Sequence, residues 1–374
     1  MIEWYLMVLV RLRLQNFRNY QKQEFEFANK TTLVVGPNTS GKTNLLEGIY
    51  LLATGKSFRA GLEQEMIKYD EDLARAKGRV INREITDLEI VLTRGEVLGE
   101  KVAKKKYQVN GIEKRAMDFI GRLRAVYFGP EDLDLVTNSP ALRRKYLDSV
   151  LEQVDREYGR ATLSYEKGLR QRNKLLERIR DEGASRSQLL FWNQLLIKNG
   201  DYLTQKREEF MGFCNTQYAI RNMNNVSHIS YHVLPSFQLE YDKSIISPVR
   251  LEEYAKEEVA AGATLVGPHR DDFSFKLQKR NLSAYGSRGE QRLAILWLKL
   301  RELEFIAQHQ ALLITSKAGE RPILLLDDIF SELDQKHRKL VLEVIPKQQT
   351  IITTTDLRLV EKDFQKKMEM VKLE

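Results

Sequence analysis

Apolar and polar positions alternate at the start of the chain. Val8, Val10, Leu12 and Leu14 fall on one side and Leu9, Arg11 and Arg13 on the other, which predicts a half-buried strand. Phe25 and Phe27 mark a second short strand, and Thr31-Thr32-Leu33-Val34-Val35 a third that runs into Gly36. The period then changes. Leu45, Leu46, Ile49, Leu52 and Ala53 share one face of a helix predicted from Lys42 to Ala53. From Leu73 to Ile112 the period returns toward two, with Leu88, Ile90 and Leu92 set against Asp87, Glu89 and Val91. Asn110-Gly111 is a two-residue hairpin signal, so this stretch reads as an antiparallel meander. Leu123 to Phe128 is a further strand.

Ser139-Pro140 opens a helix, with serine as the cap and proline at the first helical position. Leu142, Tyr146, Leu147, Val150, Leu151 and Val154 keep a helical stripe, and the helical character runs to about Met223 with a break near Asp181-Glu182-Gly183. A strand is predicted around Ile229 to Tyr241, then a short acidic helix from about Val249 to Ala260. The last third is α/β again: helix Arg288 to Gln308, strand Ile323 to Leu326, helix Asp334 to Val344, strand Thr350 to Thr353. A parallel-sheet pattern therefore opens and closes the chain around a mainly helical block. The expected division is a head of residues 1–130 and 262–374 with an inserted arm of residues 131–261.

Composition narrows the partners. The chain has 374 residues, 42% of them hydrophobic, and a net charge of +8, which favours a polyanion as partner. A single cysteine, Cys214, excludes an internal disulfide framework and a cysteine zinc site; it reads as a small buried hydrophobe rather than a reactive thiol, and a cytoplasmic protein is expected. The apolar run from Trp4 to Val10 is 7 residues, short of the roughly 20 that span a bilayer, so no membrane partner is expected. It also lacks the features of a signal peptide, and Met7 is an alternative start.

Two segments carry nucleotide chemistry. Gly36-Pro37-Asn38-Thr39-Ser40-Gly41-Lys42-Thr43 fits G-x-x-x-x-G-K-[ST] between an apolar strand and an amphipathic helix. In such a loop, backbone N–H groups converge on phosphate oxygens, Lys42 adds a cation at the β- and γ-phosphates, and Thr43 gives a hydroxyl to Mg²⁺. Ile323-Leu324-Leu325-Leu326-Asp327-Asp328 ends a buried strand in two acids. Asp327 is the expected Mg²⁺ ligand at the carboxyl end of the strand, and Asp328 the group that polarises the attacking water. ATP and Mg²⁺ are the expected ligands.

These segments alone suit a kinase, a GTPase or a motor as well. Tyr285-Gly286-Ser287-Arg288-Gly289-Glu290-Gln291-Arg292, just before a helix, resembles the signature motif of ABC ATPases, in a Ser-Arg-Gly-Glu form. Ile329-Phe330-Ser331-Glu332-Leu333-Asp334 looks like their D-loop. The chain is thus similar to the ABC/SMC ATPases, and among them it resembles the RecF family. Its markers are Leu14-Gln15-Asn16-Phe17-Arg18-Asn19-Tyr20, Gly55-Lys56-Ser57-Phe58-Arg59, Phe128-Gly129-Pro130-Glu131-Asp132-Leu133 and Gly267-Pro268-His269-Arg270-Asp271-Asp272.

The resemblance implies an α/β fold: an ABC-type P-loop ATPase head, with a mixed sheet and an antiparallel meander, carrying an inserted mainly helical arm. It implies an ATP-dependent homodimer in which Ser287, Arg288, Gly289 and Glu290 meet ATP held by the other subunit's P-loop. It also implies slow ATP hydrolysis, binding of double- and single-stranded DNA at gaps, and work with RecR and RecO in recombinational repair and fork maintenance. Thr39 stands where the superfamily commonly has glycine, and Asp328 where ABC ATPases have glutamate, as is common in RecF-like chains. No Q-loop glutamine is evident; Gly129-Pro130-Glu131 holds that place in order, which makes Glu131 a second catalytic candidate. The switch histidine is missing too, and Thr353-Thr354-Thr355-Asp356 follows its strand. A transporter ATPase would usually carry a Q-loop glutamine, an SMC-like structural protein would need far more heptad sequence than this arm offers, and a small-molecule kinase would need neither a signature motif nor a trans site.

Between Pro140 and Arg180 there are 11 Lys/Arg against 6 Asp/Glu. On a helix Arg156, Arg160, Lys167, Arg170, Lys174 and Arg178 fall within about 80° of one another, either a track for a phosphate backbone or a solvated face. Lys101 and Lys104-Lys105-Lys106 are a second basic candidate. His269 and Arg270 read either as nucleotide or junction contacts or as a Gly-Pro turn, and Arg59 as a phosphate or DNA contact or a solvated loop residue.

Overall fold

The computed structural model describes residues 7–82, 84–97, 99–216, 234–313 and 321–374. By internal contacts the chain divides into two compact units. One takes in Met1–Leu133, Tyr218–Pro235 and Arg292–Glu374, the other Asp134–Gln217 and Ser236–Gln291.

The first unit is built on two sheets. Five strands make a parallel sheet in the order Ala125–Phe128, Ile323–Asp327, Thr350–Thr354, Thr31–Val35, Glu369–Lys372. Six make an antiparallel sheet in the order Tyr20–Glu26, Val8–Phe17, Leu73–Asn82, Glu84–Thr93, Lys105–Val109, Ile112–Lys114. Of the three opening strands only Thr31–Val35 joins the parallel sheet; the other two pair as a hairpin in the antiparallel one. The edge strand Glu369–Lys372 has no clear alternation and was not expected from the sequence.

The helix Lys42–Thr54 packs against strands of both sheets. That is why its burial extends beyond the expected face to Leu51 and Gly48, since a helix between two layers has little solvent side. Gly48 is required by the close approach: a Cβ there would stand 2.7 Å from Leu14 Cδ2.

Val8–Phe17 departs from simple alternation. Leu9, expected on the outer side with Arg11, is fully buried, while Val10 is half-buried. The register with Leu73–Asn82 slips between Leu9 and Arg11, and one extra residue exchanges the two faces. The buried Gln349 amide satisfies the irregular backbone, accepting from Leu9 N and donating to Leu9 O, each at 2.8 Å.

In the second unit the expected stripe helix ends at Glu152, and a new helix, Arg156–Glu182, starts on an Asp155 cap that accepts from Tyr158 N. It runs unbroken through Gly159 and Gly168 to Gly183, whose φ of 69° closes it. Leu189–Asn215 packs beside it. The acidic helix is two short ones, Pro248–Glu253 and Ala255–Ala261. Of the predicted strand, Phe237–Asp242 is formed; residues 229–233, and 217–223 of the predicted helical run, lie outside the described residues.

Residues 262–291, expected with the head, cluster with the helices instead. Two contacts explain it. Asp272–Leu277 pairs with Phe237–Asp242, and the acids of the Gly-Pro-His-Arg-Asp-Asp segment neutralise helix arginines. Buried Arg207 reaches Asp271 Oδ2 at 2.8 Å, Asp148 Oδ1 at 2.9 Å, Tyr158 Oη at 3.0 Å and the Pro268 carbonyl at 2.7 Å. Arg143 Nε and Nη2 reach the two Asp272 oxygens at 2.6 and 2.9 Å. A buried charge is tolerable only when paired this fully. His269 is held between Tyr165 Oη at 2.9 Å and the Thr264 carbonyl at 3.0 Å, and burial lowers its pKa to about 4. The neutral ring therefore donates from Nε2 and accepts at Nδ1, as part of a braced turn.

Candidate functional site

Strand Thr31–Val35 delivers the chain into the phosphate loop, and the helix starts at Lys42 after Gly41 at φ 100°. Lys42 is buried, and its Nζ donates to the Gly36 and Pro37 carbonyls at 2.8 and 2.7 Å. Burial lowers its pKa, opposed by the charges of Asp327 and Asp328. Two parts of the sequence about 285 residues apart thus act on one ammonium group through their charges. Ser40 Oγ is buried with no hydrogen-bond partner among the described residues, a donor aimed at nothing in the protein.

Thr39 has φ 74°. This left-handed backbone explains why glycine is common at that place: a β-branched residue there is strained by about 1–2 kcal/mol. Thr39→Gly is expected to relieve that strain against a smaller loss of about 0.5–1 kcal/mol in chain entropy. Scanning calorimetry of the nucleotide-free protein should show a melting temperature higher by roughly 2 °C; a lower one would mean that Thr39 makes contacts worth more than its strain.

Asp327 is buried, and its carboxylate accepts from Thr353 Oγ1 at 2.5 Å and lies 3.3 Å from Tyr127 Oη. Asp328 has φ 49°, in the left-handed region. Its backbone N–H donates to the Thr353 carbonyl at 3.2 Å, its Oδ2 accepts from Ser331 Oγ at 3.0 Å, and Oδ1 is buried with no hydrogen-bond partner among the described residues. The backbone turn therefore presents one free carboxylate oxygen beside the metal-ligand candidate. Glu131 is linked to the same cluster through Tyr127, whose Oη donates to Glu131 Oε2 at 2.6 Å. Burial raises the Glu131 pKa, with the charges of Asp327 and Asp132 adding to the rise. Asp132 fixes the turn, accepting from Gly129 N at 3.0 Å and from Lys299 Nζ at 2.9 Å. The structure thus brings together the loop Gly36 to Thr43, Asp327, Asp328 and Glu131. Tyr127 was not found from the sequence, and Thr353 was noted only for its place where a switch histidine is missing; strand hydroxyls carry no motif signal.

Arg59 is an exposed residue whose guanidinium is anchored within the protein. It pairs with the fully buried Glu47 of the helix at 2.9 Å, as does Arg18 at 2.7 Å, and Ser57 Oγ adds 2.6 Å. Burial would raise the Glu47 pKa, but Arg18, Arg59 and Ser57 hold it below the usual value. Two of the sequence markers thus converge on one carboxylate of the phosphate-loop helix. A cavity of about 780 Å³ adjoins them, lined by Arg18, Asn19, Asn44, Arg59, Leu62 and the exposed Tyr69 among others.

The signature segment lies in the second unit. Ser287 and Glu290 form a reciprocal cap on helix Arg288–Leu313: Ser287 N donates to Glu290 Oε2 at 2.8 Å and Glu290 N to Ser287 Oγ at 3.2 Å. Ser287, Arg288 and Gly289 are exposed. The basic stripe lies on Arg156–Glu182, with Arg156, Lys167, Arg170, Lys174 and Arg178 exposed and Arg160 half-buried. Arg160 pairs with Glu157 and Arg178 with Glu182, whereas Lys167, Arg170 and Lys174 make no ion pair among the described residues. Of the second basic cluster, Lys105 is tied to Glu63 and to the Gly55 carbonyl.

A family model described as the RecF/RecN/SMC N terminal domain matches residues 8–373. The chain is 39% identical over 380 residues to the DNA replication and repair protein RecF of Herpetosiphon aurantiacus, with 94% of each chain covered.

The chain belongs to the RecF family.

A second RecF, from Bacillus cereus, is 35% identical over 378 residues, covering 98% of this chain and 96% of its own. Among solved structures, the recombination mediator protein RecF with ATP, of the RecFOR pathway, superposes with a TM-score of 0.82 at 31% identity, covering 96% of this chain and 95% of that one. The RecF fold is therefore that of an ABC/SMC-type head with an antiparallel sheet and a helical region. No described helix of this RecF-family chain is long and apolar enough to cross a membrane.

Proposed function

We propose that the chain is an ATP-driven DNA-binding protein of recombinational repair and replication-fork maintenance. Mg-ATP joins two copies around DNA, at gaps where single and double strands meet, and slow hydrolysis releases them. The observation that carries this is one parallel sheet in which strand Thr31–Val35 leads into the loop Gly36 to Thr43 and strand Ile323–Asp327 ends in Asp327 and Asp328, while Ser287, Arg288 and Gly289 stand exposed at a capped helix start. ATP would be held by the loop Gly36 to Thr43. Thr43 and Asp327 hold Mg²⁺; a hydroxyl and a carboxylate are hard oxygen donors, and such sites complete the shell with phosphate oxygens and water. The cation, when bound, neutralises charge developing on the phosphates. Asp328 orients the attacking water, with Glu131 as its neighbour. Ser287, Arg288, Gly289 and Glu290 of each copy close the nucleotide site of the other, so the interface is isologous with two ATP sites.

The setting is cytoplasmic, and RecR and RecO are the partners with which recombinase is loaded. The relatives named for DNA replication and repair, and the solved RecF of the RecFOR pathway, support this reading. Sedimentation with and without Mg-ATP and gapped duplex tests it: a dimer that forms with ATP and travels with DNA is expected, and a monomer under all conditions would refute it.

The DNA track is the stripe on Arg156–Glu182. Reversing the charges of Arg170, Lys174 and Arg178 should weaken DNA binding while ATP affinity stays constant. Each lost phosphate contact should reduce the slope of log K against log salt by about 0.9. An unchanged slope assigns the stripe to a solvated face and moves the contact to Lys101, Lys104 and Lys106.

A further inference from the structure

The Tyr127 hydroxyl stands between two carboxylates, 2.6 Å from Glu131 Oε2 and 3.3 Å from Asp327 Oδ2. The other oxygen of Asp327 accepts from Thr353 Oγ1 at 2.5 Å. Asp327 is thus approached on both oxygens by hydroxyls from the two strands that flank its own, Ala125–Phe128 and Thr350–Thr354. A phenol has one proton to donate, so the two acids share a single donor.

The ring is held in place. Phe58 stacks on it with centroids 3.7 Å apart and planes 9° from parallel, and Tyr50 of the phosphate-loop helix meets it edge-on at 6.1 Å. Gly129 leaves the space the hydroxyl needs, because a Cβ there would stand 2.1 Å from Tyr127 Oη. This arrangement spends two aromatic contacts and a glycine on the location of one hydroxyl.

We propose that Tyr127 is a positioning residue that sets the Asp327 carboxylate for its divalent cation and ties it to Glu131, so that the metal ligand and the turn after Ala125–Phe128 act as one unit. The proposal rests on the reading of Asp327 as a Mg²⁺ ligand. A ligating carboxylate is useful in a narrow range of orientations, and the groups that hydrogen-bond ligands from behind are typically worth about 10–100-fold in metal affinity or activity. Losing the shared donor also leaves Asp327 and Glu131 facing each other as like charges.

Tyr127→Phe keeps the ring and removes only the hydroxyl. Binding of a fluorescent, non-hydrolysable ATP analogue is followed as MgCl₂ is added, alongside the melting temperature. The Mg²⁺ concentration for half-maximal binding is expected to rise about tenfold or more, with nucleotide binding in EDTA and the melting temperature close to wild type. Gly129→Ala, which forces the hydroxyl away from both oxygens, should shift the midpoint in the same direction. An unchanged midpoint in Tyr127→Phe overturns the proposal and leaves the Mg²⁺ site standing. A wild-type protein that binds the analogue equally with and without Mg²⁺ overturns both, since Asp327 would then not be a metal ligand.

Discussion

Lys42→Ala is expected to abolish tight ATP binding and, with it, ATP-induced dimerisation. Lys42 Nζ now donates to two carbonyls of its own loop, Gly36 and Pro37, so the ammonium already spans the place where phosphate oxygens bind. Exchanging neutral carbonyls for phosphate oxygens strengthens both bonds, because the ammonium then meets acceptors that carry negative charge. Two such bonds at about 1.5–3 kcal/mol each correspond to an affinity loss of roughly 10²–10⁴-fold. The loss is aggravated by what remains. Asp327 and Asp328 would face the triphosphate with no cation of the loop between them. Calorimetric titration with Mg-ATP and sedimentation measure the two effects. Dimers forming at wild-type ATP concentrations would remove the phosphate site from this loop.

Asp328→Asn is expected to bind ATP and dimerise normally yet hydrolyse slowly. The backbone favours the exchange, since Asp328 sits at φ 49° and asparagine is among the residues that adopt this conformation most readily. The amide oxygen can still accept from Ser331 Oγ, which now bonds Oδ2 at 3.0 Å. What is lost is the unpartnered, negatively charged Oδ1, the one oxygen of this carboxylate left to take a proton or orient water. General-base contributions are on the order of 10²–10⁴ in rate, and single-turnover hydrolysis should fall by that factor. Removing one negative charge near the γ-phosphate also favours the closed dimer. Residence on DNA after an ATP-free chase should therefore lengthen. Near-normal hydrolysis would transfer the role to Glu131. Slow hydrolysis with fast DNA release would separate the ATP gate from the DNA clamp.

Local pattern was enough for anything whose cause lies within a few residues. Gly36 to Thr43 is legible because a strand, a phosphate loop and a helix start are contiguous, and Asp327-Asp328 because two acids after a short apolar run mark the carboxyl end of a buried strand. The Ser139 start and the Gly183 stop of helices follow from backbone preferences of single residues. Only the folded chain decided the rest, because the decisive partners are distant. Val10 leaves the core face through a register slip against Leu73–Asn82, which no property of Val8–Phe17 by itself announces. Arg59 is drawn to Glu47 because that carboxylate is fully buried and requires charge nearby. Residues 262–291 join the helical unit because Asp271 and Asp272 are needed to neutralise Arg207 and Arg143. Tyr127 lies 200 positions from Asp327, and one hydroxyl shared by two carboxylates exists only where two adjacent strands and the turn after one of them place the groups side by side.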